Sequence, residues 1–503
     1  MKVKKAVATS MVFIVCGTMV ACGGNSIGDG GENALNIRVW DGGYGTEWAK
    51  SVAQEFEKEY DIKVDVQGSA LRNQLSAEMN TEEYKNQQFD LYFTDLMVRK
   101  TELLTDLSDV YAYKPEGEDK TIAEKFHSDV DEYYKNEDGT YYYMPWGVGF
   151  TSFTYNADLI TEEMIPNTTN ELVELCKMFK AQNKYSFVFG NDTNYWDGPF
   201  GVWWCQYEGI ESYKLYFEGK VEKDGIYTSD VISQQGRLRS LEVLEELLGY
   251  ENGYTDPASS STGFMAAQKN YFQGKSVMMF NGSWIENEMS KLFPDGCPFS
   301  LNTMKMPIIS SIIERTDTIE NDAILSLVVD YVDGKEGATI PNGVSEEDVE
   351  IIRKARNIYS ASTGHNVIIP KNAHHIENAK KFLKFLYSKT GANIYMQHSN
   401  GAGLMLVGEK YDSDWVNSLT PLQRNALNML NSETVDYATT PVTPLTLAGF
   451  SWRKTTTYLE LLFCSQNEKD RMTAQQIFQY DIDYYTKNNG ANWNTLLTDA
   501  EIN

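Results

Sequence analysis

LNIRVWDGGYGTEWAKSVAQEFEKEYDIKVDV, residues 35–66, is the segment that decides the predicted fold class. Its first six residues alternate apolar and polar side chains, which predicts a strand at 35–40. The next large apolar residues recur at every fourth position, as one face of a helix requires: Trp48, Val52 and Phe56. A second alternating run occupies 62–66, after a connection of a length suited to a β-α-β unit. The segment therefore predicts two parallel strands joined by a helix.

Other segments extend this α/β pattern along the chain. FDLYFTD at 89–95 predicts a third strand, and YYYMPWGVGFTSFTYN at 141–156 is a long, aromatic, extended run. SVMMF at 276–280 predicts a buried strand, and the apolar residues of 376–386 have the spacing of an amphipathic helix. The less regular, charged stretch 310–362 is interpreted as an insertion. We therefore predict an α/β fold with a parallel sheet.

The N-terminus has the pattern of an export signal. Three lysines at positions 2–5 precede a mostly apolar run at 6–20, which is too short to span a bilayer as a stable helix. MVAC at 19–22 resembles the bacterial lipobox, in which the cysteine becomes the first mature residue and carries diacylglycerol. We therefore predict a signal peptide at 1–21 and a lipid anchor at Cys22. An ordinary secretory signal with an incidental cysteine is the alternative.

Composition limits the classes of partner. The glycine-rich stretch 22–34 has little apolar surface and predicts a flexible tether. A chain of 503 residues exceeds one typical core, so two or more lobes are expected. The net charge of −27 would repel nucleic-acid phosphates, which argues against a nucleic-acid partner.

Cysteine and histidine spacing predicts no metal or other cofactor. The four cysteines beyond position 22 are widely spaced and form no C-x-x-C pair, and the five histidines show no zinc-ligand spacing. A disulfide framework is not expected in so large a domain, although a single disulfide bridge stays an alternative. The cysteines concerned are Cys176, Cys205, Cys297 and Cys464.

Several of these segments together resemble a known family. They occur in one order: the signal and lipobox, the strand-turn-helix of 35–60, FDLYFTD, YYYMPWGVGFTSFTYN, FQGKSVMMFNGSW and IIPKNAHHIENAKKFLKFLYS. This order resembles an extracellular solute-binding protein of family 1, the lipid-anchored receptor of a carbohydrate ABC transporter. The resemblance implies a two-lobed, periplasmic-binding-protein-like fold of type II. Each lobe would be a mainly parallel sheet flanked by helices, and hinge strands would join the lobes.

The resemblance also implies lobe boundaries and partners. The N-lobe would comprise 35–148 and 305–400, and the C-lobe 149–304 and 401–503. The expected partners are an oligosaccharide, which binds between the lobes, and the permease subunits of an ABC transporter. The expected location is the extracellular face of the cell membrane, where a monomer is held by its N-terminal lipid.

Candidate binding residues follow from the chemistry of sugars. A sugar ring presents hydroxyls at its rim and C–H groups on its faces, so a site needs planar polar side chains and aromatic planes. Suitable residues lie where turns leave the predicted strands, and Trp284 has a position that commonly stacks on sugar in the resembled family. The predicted ligand-binding residues are Trp40, Asp41, Tyr44, Asp95, Tyr195, Trp196, Trp203, Trp284 and Glu286. Core packing of the aromatics and helix capping by the two aspartates are the alternatives.

The sequence therefore predicts a receptor that captures an oligosaccharide and delivers it to a permease, and not an enzyme. The G-x-S-x-G match at residues 24–28 lies in the predicted tether and not between a strand and a helix, so it does not predict a nucleophile elbow. Because 71 carboxylates would place some pair at the separation of a glycosidase by chance, a secreted surface glycoside hydrolase stays an alternative. A surface adhesin that binds glycans is the other alternative.

Overall fold

The computed structural model describes residues 31–41, 43–69, 89–94, 101–127, 129–136, 138–362, 365–399, 401–441 and 443–502. The predicted signal peptide, the anchor Cys22 and the candidate Asp95 lie outside these residues. Most of the predicted tether lies outside them as well, and its last residue, Ala34, begins the first strand.

The strands of the described residues form two sheets. In chain order they are β1 (Ala34–Trp40), β2 (Lys63–Ser69), β3 (Leu91–Thr94), β4 (Met144–Pro145), β5 (Val148–Asn156), β6 (Tyr185–Phe187), β7 (Ser276–Gly282), β8 (Leu301–Thr303), β9 (Ile358–Ser362), β10 (Asn366–Ile368), β11 (Ala402–Gly403) and β12 (Asp436–Tyr437). The first sheet has the order β2-β1-β3-β10-β4, and the second has the order β12-β9-β5-β7-β6. β8 and β11 also pair with β5.

Helices cover both sheets. In chain order they are α1 (Glu47–Tyr60), α2 (Ser108–Tyr111), α3 (Ile122–Lys125), α4 (Asp129–Tyr134), α5 (Thr169–Ala181), α6 (Asp197–Glu208), α7 (Ile210–Glu218), α8 (Gln235–Leu248), α9 (Phe264–Phe272), α10 (Ile285–Met289), α11 (Asp322–Val332), α12 (Glu346–Arg356), α13 (Ile376–Leu386), α14 (Lys389–His398), α15 (Ser413–Ser418), α16 (Pro421–Leu430), α17 (Pro444–Leu447), α18 (Leu459–Cys464) and α19 (Ala474–Asp499). The backbone leaves helical geometry inside α19, at Lys487–Gly490.

The opening β-α-β unit is confirmed. β1 pairs with β2 in parallel and with β3 in parallel. The predicted apolar stripe of α1 is fully buried at Trp48, Val52 and Phe56. This stripe packs in the first core because residues four apart lie on one face of a helix. The predicted helix at 376–386 is also confirmed as α13, which buries Phe382 and Leu386 in the same core.

The two sheets are the centres of two lobes, so the two-lobed α/β fold is confirmed. The chain passes from β4 in the first sheet to β5 in the second through two residues, Trp146 and Gly147. It returns to the first sheet between β9 and β10, over 363–365. Both sheets are mixed. β10 runs antiparallel to β3 and β4, and β5 runs antiparallel to β7, β8, β9 and β11.

The stretch after β8 corrects one predicted lobe assignment. Residues 305–400 were expected in the N-lobe, but the apolar side chains of 305–357 pack in the core of the second lobe, and β9 lies in the second sheet. Ile308, Leu325 and Ile352 contribute to the same core as Phe153 of β5. The charged segment at 310–362 contains the amphipathic helices α11 and α12, and their apolar faces cover this core. The other predicted lobe boundaries stay a prediction.

A buried ion pair joins the C-terminal helix to the second lobe. Arg237 on α8 and Asp481 on α19 are 0 % and 2 % exposed, and Arg237 Nη2 lies 2.8 Å from Asp481 Oδ2. Arg237 Nη2 also donates to the carbonyl oxygen of Trp452 at 2.6 Å. Asp481 Oδ1 accepts from the backbone N–H of Lys454 at 2.9 Å. Helix α19 therefore fixes the position of the loop at 451–454.

Candidate functional site

A cleft of about 480 Å³ lies over the second sheet. Its floor includes Thr151 on β5, Phe280 on β7 and Ser360 on β9. Thr151 Oγ1 donates a hydrogen bond to Ser360 Oγ at 2.7 Å. The start of α6 and the indole of Trp284 form walls of this cleft, and residues 438–440 with Trp452 form another. The volume lies in the range of small-molecule sites.

Trp284 lies against three glycines at the boundary between the lobes. Its side chain is 7 % exposed and follows β7, as the N-cap residue of α10. A Cβ atom at Gly149 of β5 or at Gly282 of β7 would overlap the six-membered ring of the indole. Gly43 of the first lobe faces the five-membered ring. Only glycine at 149 and 282 lets the indole lie this close to the strands.

The first lobe contacts this tryptophan through the turn after β1. The Tyr44 ring meets Trp284 edge-on, with 5.6 Å between ring centroids. Asn287 of α10 donates from Nδ2 to the carbonyl oxygen of Gly43 at 2.6 Å. Trp40 lies farther back and stacks on His365, with 5.2 Å between centroids. Tyr44 and Trp40 thus support the lobe boundary, and neither is among the residues that line the cleft.

The start of α6 supplies an aromatic ring and a carboxylate to the cleft. Tyr195 and Asp197 both line it. Asn194 Nδ2 donates to Asp197 Oδ2 at 2.9 Å, and Arg453 Nη2 lies 3.6 Å from the same oxygen. Asp197 Oδ1 is buried and has no hydrogen-bond partner among the described residues. A buried carboxylate oxygen without a donor is costly, so this atom is suited to accept a hydrogen bond from a bound molecule.

A second carboxyl group lies close enough to Asp197 to interact electrostatically. Glu460 on α18 is fully buried, and neither of its carboxyl oxygens has a hydrogen-bond partner among the described residues. The pKa of Glu460 is raised to about 8, mainly by burial; the charge of Asp197 acts in the same direction, and Arg453 opposes the shift. Burial also raises the pKa of Asp197, against the opposing effect of Arg453. Glu460 therefore carries its proton at neutral pH.

Glu460→Gln is expected to stabilise the protein at alkaline pH. Folding raises the pKa of Glu460 from about 4.3 in the unfolded chain to about 8, so the folded state favours the protonated form. The stability that comes from this preference is fully present below about pH 4.3 and is lost as the pH rises through about 8. Glutamine keeps the shape and cannot ionise. The melting temperature of the variant minus that of the wild type should be smallest at pH 5 and largest at pH 9, measured by calorimetry.

Glu468→Gln is the matched control for this series, because Glu468 is exposed in the next segment of the chain. Its melting temperature should follow that of the wild type at every pH. A difference for Glu460→Gln that stays constant from pH 5 to pH 9 would show that folding does not raise the pKa of Glu460.

Four further predicted site residues, besides Trp40 and Tyr44, lie away from the cleft lining. Trp196 and Trp203 are 1 % and 0 % exposed in the core of the second lobe, where Trp203 Nε1 donates to the carbonyl oxygen of Pro307 at 3.0 Å. The prediction is wrong for these two residues, because Trp203 lies on the inner face of α6 and Trp196, the residue before this helix, also packs in the core. Asp41 is exposed at the end of β1. Glu286 accepts from Thr420 Oγ1 at 2.8 Å, and burial raises its pKa.

Sequence reasoning missed several residues of the cleft. Trp204 lines it, although Trp203 was the predicted member of that pair. Asp197 begins α6 directly before Gly198 and Pro199, and an acidic residue with a nearby proline is a recognisable start of a helix. Thr151 and Ser360 carry no local signal, because only the antiparallel pairing of β5 with β9 brings them together.

The described residues contain neither a cluster of metal-ligand side chains nor a disulfide. Among them, no three His, Cys, Asp or Glu side chains lie together as potential metal ligands. The thiols of Cys176, Cys205, Cys297 and Cys464 are free. None of the helices formed by these residues combines the length and apolar character needed to cross a membrane.

Comparison with known proteins places the chain among receptors. A family model described as "Bacterial extracellular solute-binding protein" matches residues 51–405. The galactooligosaccharide-binding protein of Bacillus subtilis (strain 168) is 25 % identical over 290 residues, which are 55 % of this chain and 61 % of that protein. The chain thus matches less than two thirds of the length of this relative.

A solved structure gives a further match to the fold. The bacterial solute receptor AcbH, described as having an exclusive substrate preference for β-D-galactopyranose, superposes with a TM-score of 0.56. The match covers 90 % of this chain and 98 % of that chain at 15 % identity, so it bears on the fold alone. The family model covers well over half of the sequence, including most strands of both sheets and the residues around Trp284. This chain therefore belongs to the bacterial extracellular solute-binding protein family.

Proposed function

We propose that this protein captures a neutral oligosaccharide in the cleft and delivers it to the permease of an ABC transporter. The observation that carries the proposal is the unpartnered, buried oxygen of Asp197 in a cleft that also exposes aromatic side chains. A sugar hydroxyl can donate the hydrogen bond that this oxygen lacks. The faces of a sugar ring fit against aromatic planes such as Tyr195 and Trp284.

The electrostatics of the cleft favour a neutral ligand over an anion. Asp197 supplies an acceptor, and its partner Arg453 is already engaged at 3.6 Å. Thr151 and Ser360 add hydroxyl groups that can both donate and accept. An anionic sugar would bring a second negative charge beside Asp197, and the like charges would repel each other at low dielectric. Hydroxyl-rich, uncharged saccharides are therefore the proposed ligand class.

The relative in Bacillus subtilis narrows the proposal to saccharides that contain galactose. That protein is described as binding galactooligosaccharides, and its similarity to this chain covers 290 residues. We take galactose-containing oligosaccharides as the first ligands to test. The choice rests on this similarity, whereas the proposal of a saccharide rests on the cleft.

Lobe closure is the proposed mechanism. Some contacts between the lobes lie beside the cleft, where Tyr44 and Gly43 meet Trp284 and Asn287. A ligand that contacts both the second-lobe floor and the first-lobe turn at Tyr44 would bind the closed arrangement more tightly than an open one. This differential affinity is what shifts the population toward closure. The closed form would then be the one that the permease recognises.

The experiment that tests the proposal is isothermal titration calorimetry of the purified full-length protein. The panel contains galactose, β-1,4-linked galactobiose and galactotriose, maltotriose, and glucuronic acid as a charged comparison. At least one neutral saccharide is expected to bind with a micromolar or lower Kd. If no saccharide gives detectable binding and a peptide from a parallel panel does bind, the proposed ligand class is wrong.

We also propose that Cys22 anchors the protein by lipid to the outer face of the membrane, where it acts as a monomer. The MVAC motif at 19–22 supports this proposal. In bacterial cells that express the protein, the wild type should incorporate labelled palmitate and enter the detergent phase of Triton X-114. Cys22→Ser should do neither. Equal partitioning of the two would favour an ordinary secretory signal.

Binding without catalysis is the remaining part of the proposal. Membership of a family of binding proteins supports it. Overnight incubation with galactotriose should yield no shorter saccharide by chromatography. Release of galactose in proportion to protein concentration would instead favour the glycoside hydrolase.

A further inference from the structure

The floor of the cleft crosses four neighbouring strands of the second sheet. Phe280 lies on β7, Thr151 on β5 and Ser360 on β9, and Ala438 directly follows β12. Thr151 is paired with Ser360 in the ladder between β5 and β9. The backbone N–H of Ala438 donates to Tyr359 of β9 at 3.0 Å, which continues the ladder to the edge of the sheet.

The strand spacing gives the length of this floor. Neighbouring strands lie about 4.8 Å apart, so the three steps from β7 to β12 span about 14 Å. With single bonds near 1.5 Å, a pyranose ring advances about 5 Å between its two linking oxygens. The floor therefore has room for two to three linked rings that run across the strands. Trp284 follows β7 at one end, and 438–440 follow β12 at the other.

The far wall, which we define as residues 438–440 with Trp452, comes from outside the region that the family model matches. That model ends at residue 405. Thr439 and Thr440 bring two hydroxyl groups to the wall, and Thr440 is exposed. A wall of hydroxyl groups suits the polar rim of a sugar better than its faces. The part of the chain beyond 405 thus contributes directly to the cleft.

Trp452 anchors its end of the far wall to the second lobe. The Trp452 ring stacks on Phe200 of α6, with 4.6 Å between ring centroids. The Trp452 carbonyl oxygen accepts from the buried Arg237, whose partner Asp481 also accepts from the N–H of Lys454. A wall fixed by a buried ion pair does not retreat easily, so it limits how far a ligand can extend.

We propose that the far wall sets the length of the saccharide, and that the ligand is a chain of two to three pyranose rings lying across the strands from Trp284 to Thr440. This inference rests on the proposed function. It adds the ligand's orientation, its size and the segment that determines both.

Thr440→Trp tests the inference. The position is exposed, so the larger side chain can be accommodated without disturbing a core, and it would occupy the β12 end of the floor. Titration calorimetry gives Kd for galactose and for β-1,4-galactotriose with wild type and variant. In the wild type, galactotriose should bind at least tenfold more tightly than galactose. In Thr440→Trp, this ratio should fall by at least tenfold.

Thr434→Trp is the matched control, because Thr434 is an exposed threonine just before β12 and does not line the cleft. It should keep the wild-type ratio, and the melting temperatures of both variants should confirm that they fold. An unchanged ratio in Thr440→Trp would overturn the inference while leaving the proposed function intact. Failure of the wild type to bind any saccharide would overturn the proposed function itself.

Discussion

Replacing Trp284 with alanine is expected to raise the Kd for the saccharide about 30- to 150-fold, or about 2–3 kcal/mol, which is the scale of a buried aromatic anchor. The indole lines the cleft and is held between the strands and the Tyr44 turn of the first lobe. Its removal takes away both the ring that a sugar would contact and the surface on which the lobes meet. Titration calorimetry with the tightest ligand of the panel measures the change.

A second variant keeps the indole but moves it. Gly282→Ala places a methyl group where the ring lies, so the ring must shift, and affinity should fall in the same direction as in Trp284→Ala. Trp415→Ala serves as the control, because Trp415 is a half-buried tryptophan on α15 that does not line the cleft. Full affinity in a well-folded Trp284→Ala protein would mean that Trp284 only packs between the lobes.

Arg237→Met should lower the free energy of unfolding of the second lobe by about 3–5 kcal/mol, the usual cost of removing one partner from a buried ion pair. Methionine has a similar length but leaves the Asp481 carboxylate without its guanidinium in a site where both side chains are almost fully buried. The carbonyl oxygen of Trp452 also loses a donor. Urea unfolding followed by circular dichroism measures the loss.

Arg239→Met is the matched control on the same helix. Arg239 pairs with Glu242 and Glu314 at a site where its side chain is 31 % exposed, and exposed pairs contribute less than about 1 kcal/mol. The double variant Arg237→Met with Asp481→Leu should recover much of the loss, because it removes the uncompensated charge. A single variant as stable as the wild type would show that the pair contributes no net stability.

The fold was predictable from sequence where the decisive interactions are local. The alternation in β1 and the four-residue spacing in α1 report directly which side chains are buried. The place of 305–357 was not predictable in this way. The apolar faces of α11 and α12 fit either lobe, and only contacts with residues such as Phe153, far away in sequence, decide between them.

The candidate site shows the same division at the level of single residues. Tyr195 and Trp284 were predicted and line the cleft, although their contact with a ligand stays a prediction. Trp203 and Trp204 are both buried in the core, but successive residues of a helix point about 100° apart, and only Trp204 also borders the cleft. The sequence shows only that both residues are tryptophans. The direction in which each side chain points depends on where α6 begins, at Asp197.

The pairing of Arg237 with Asp481 joins positions 244 residues apart along the chain. A polypeptide is made from its N-terminus, so this contact forms only when almost the entire chain has been synthesised. Closing so large a loop is entropically slow, which makes it a late event in folding. A prematurely terminated chain would leave a guanidinium group buried without a counter-ion and would be more open to proteolysis than the complete chain.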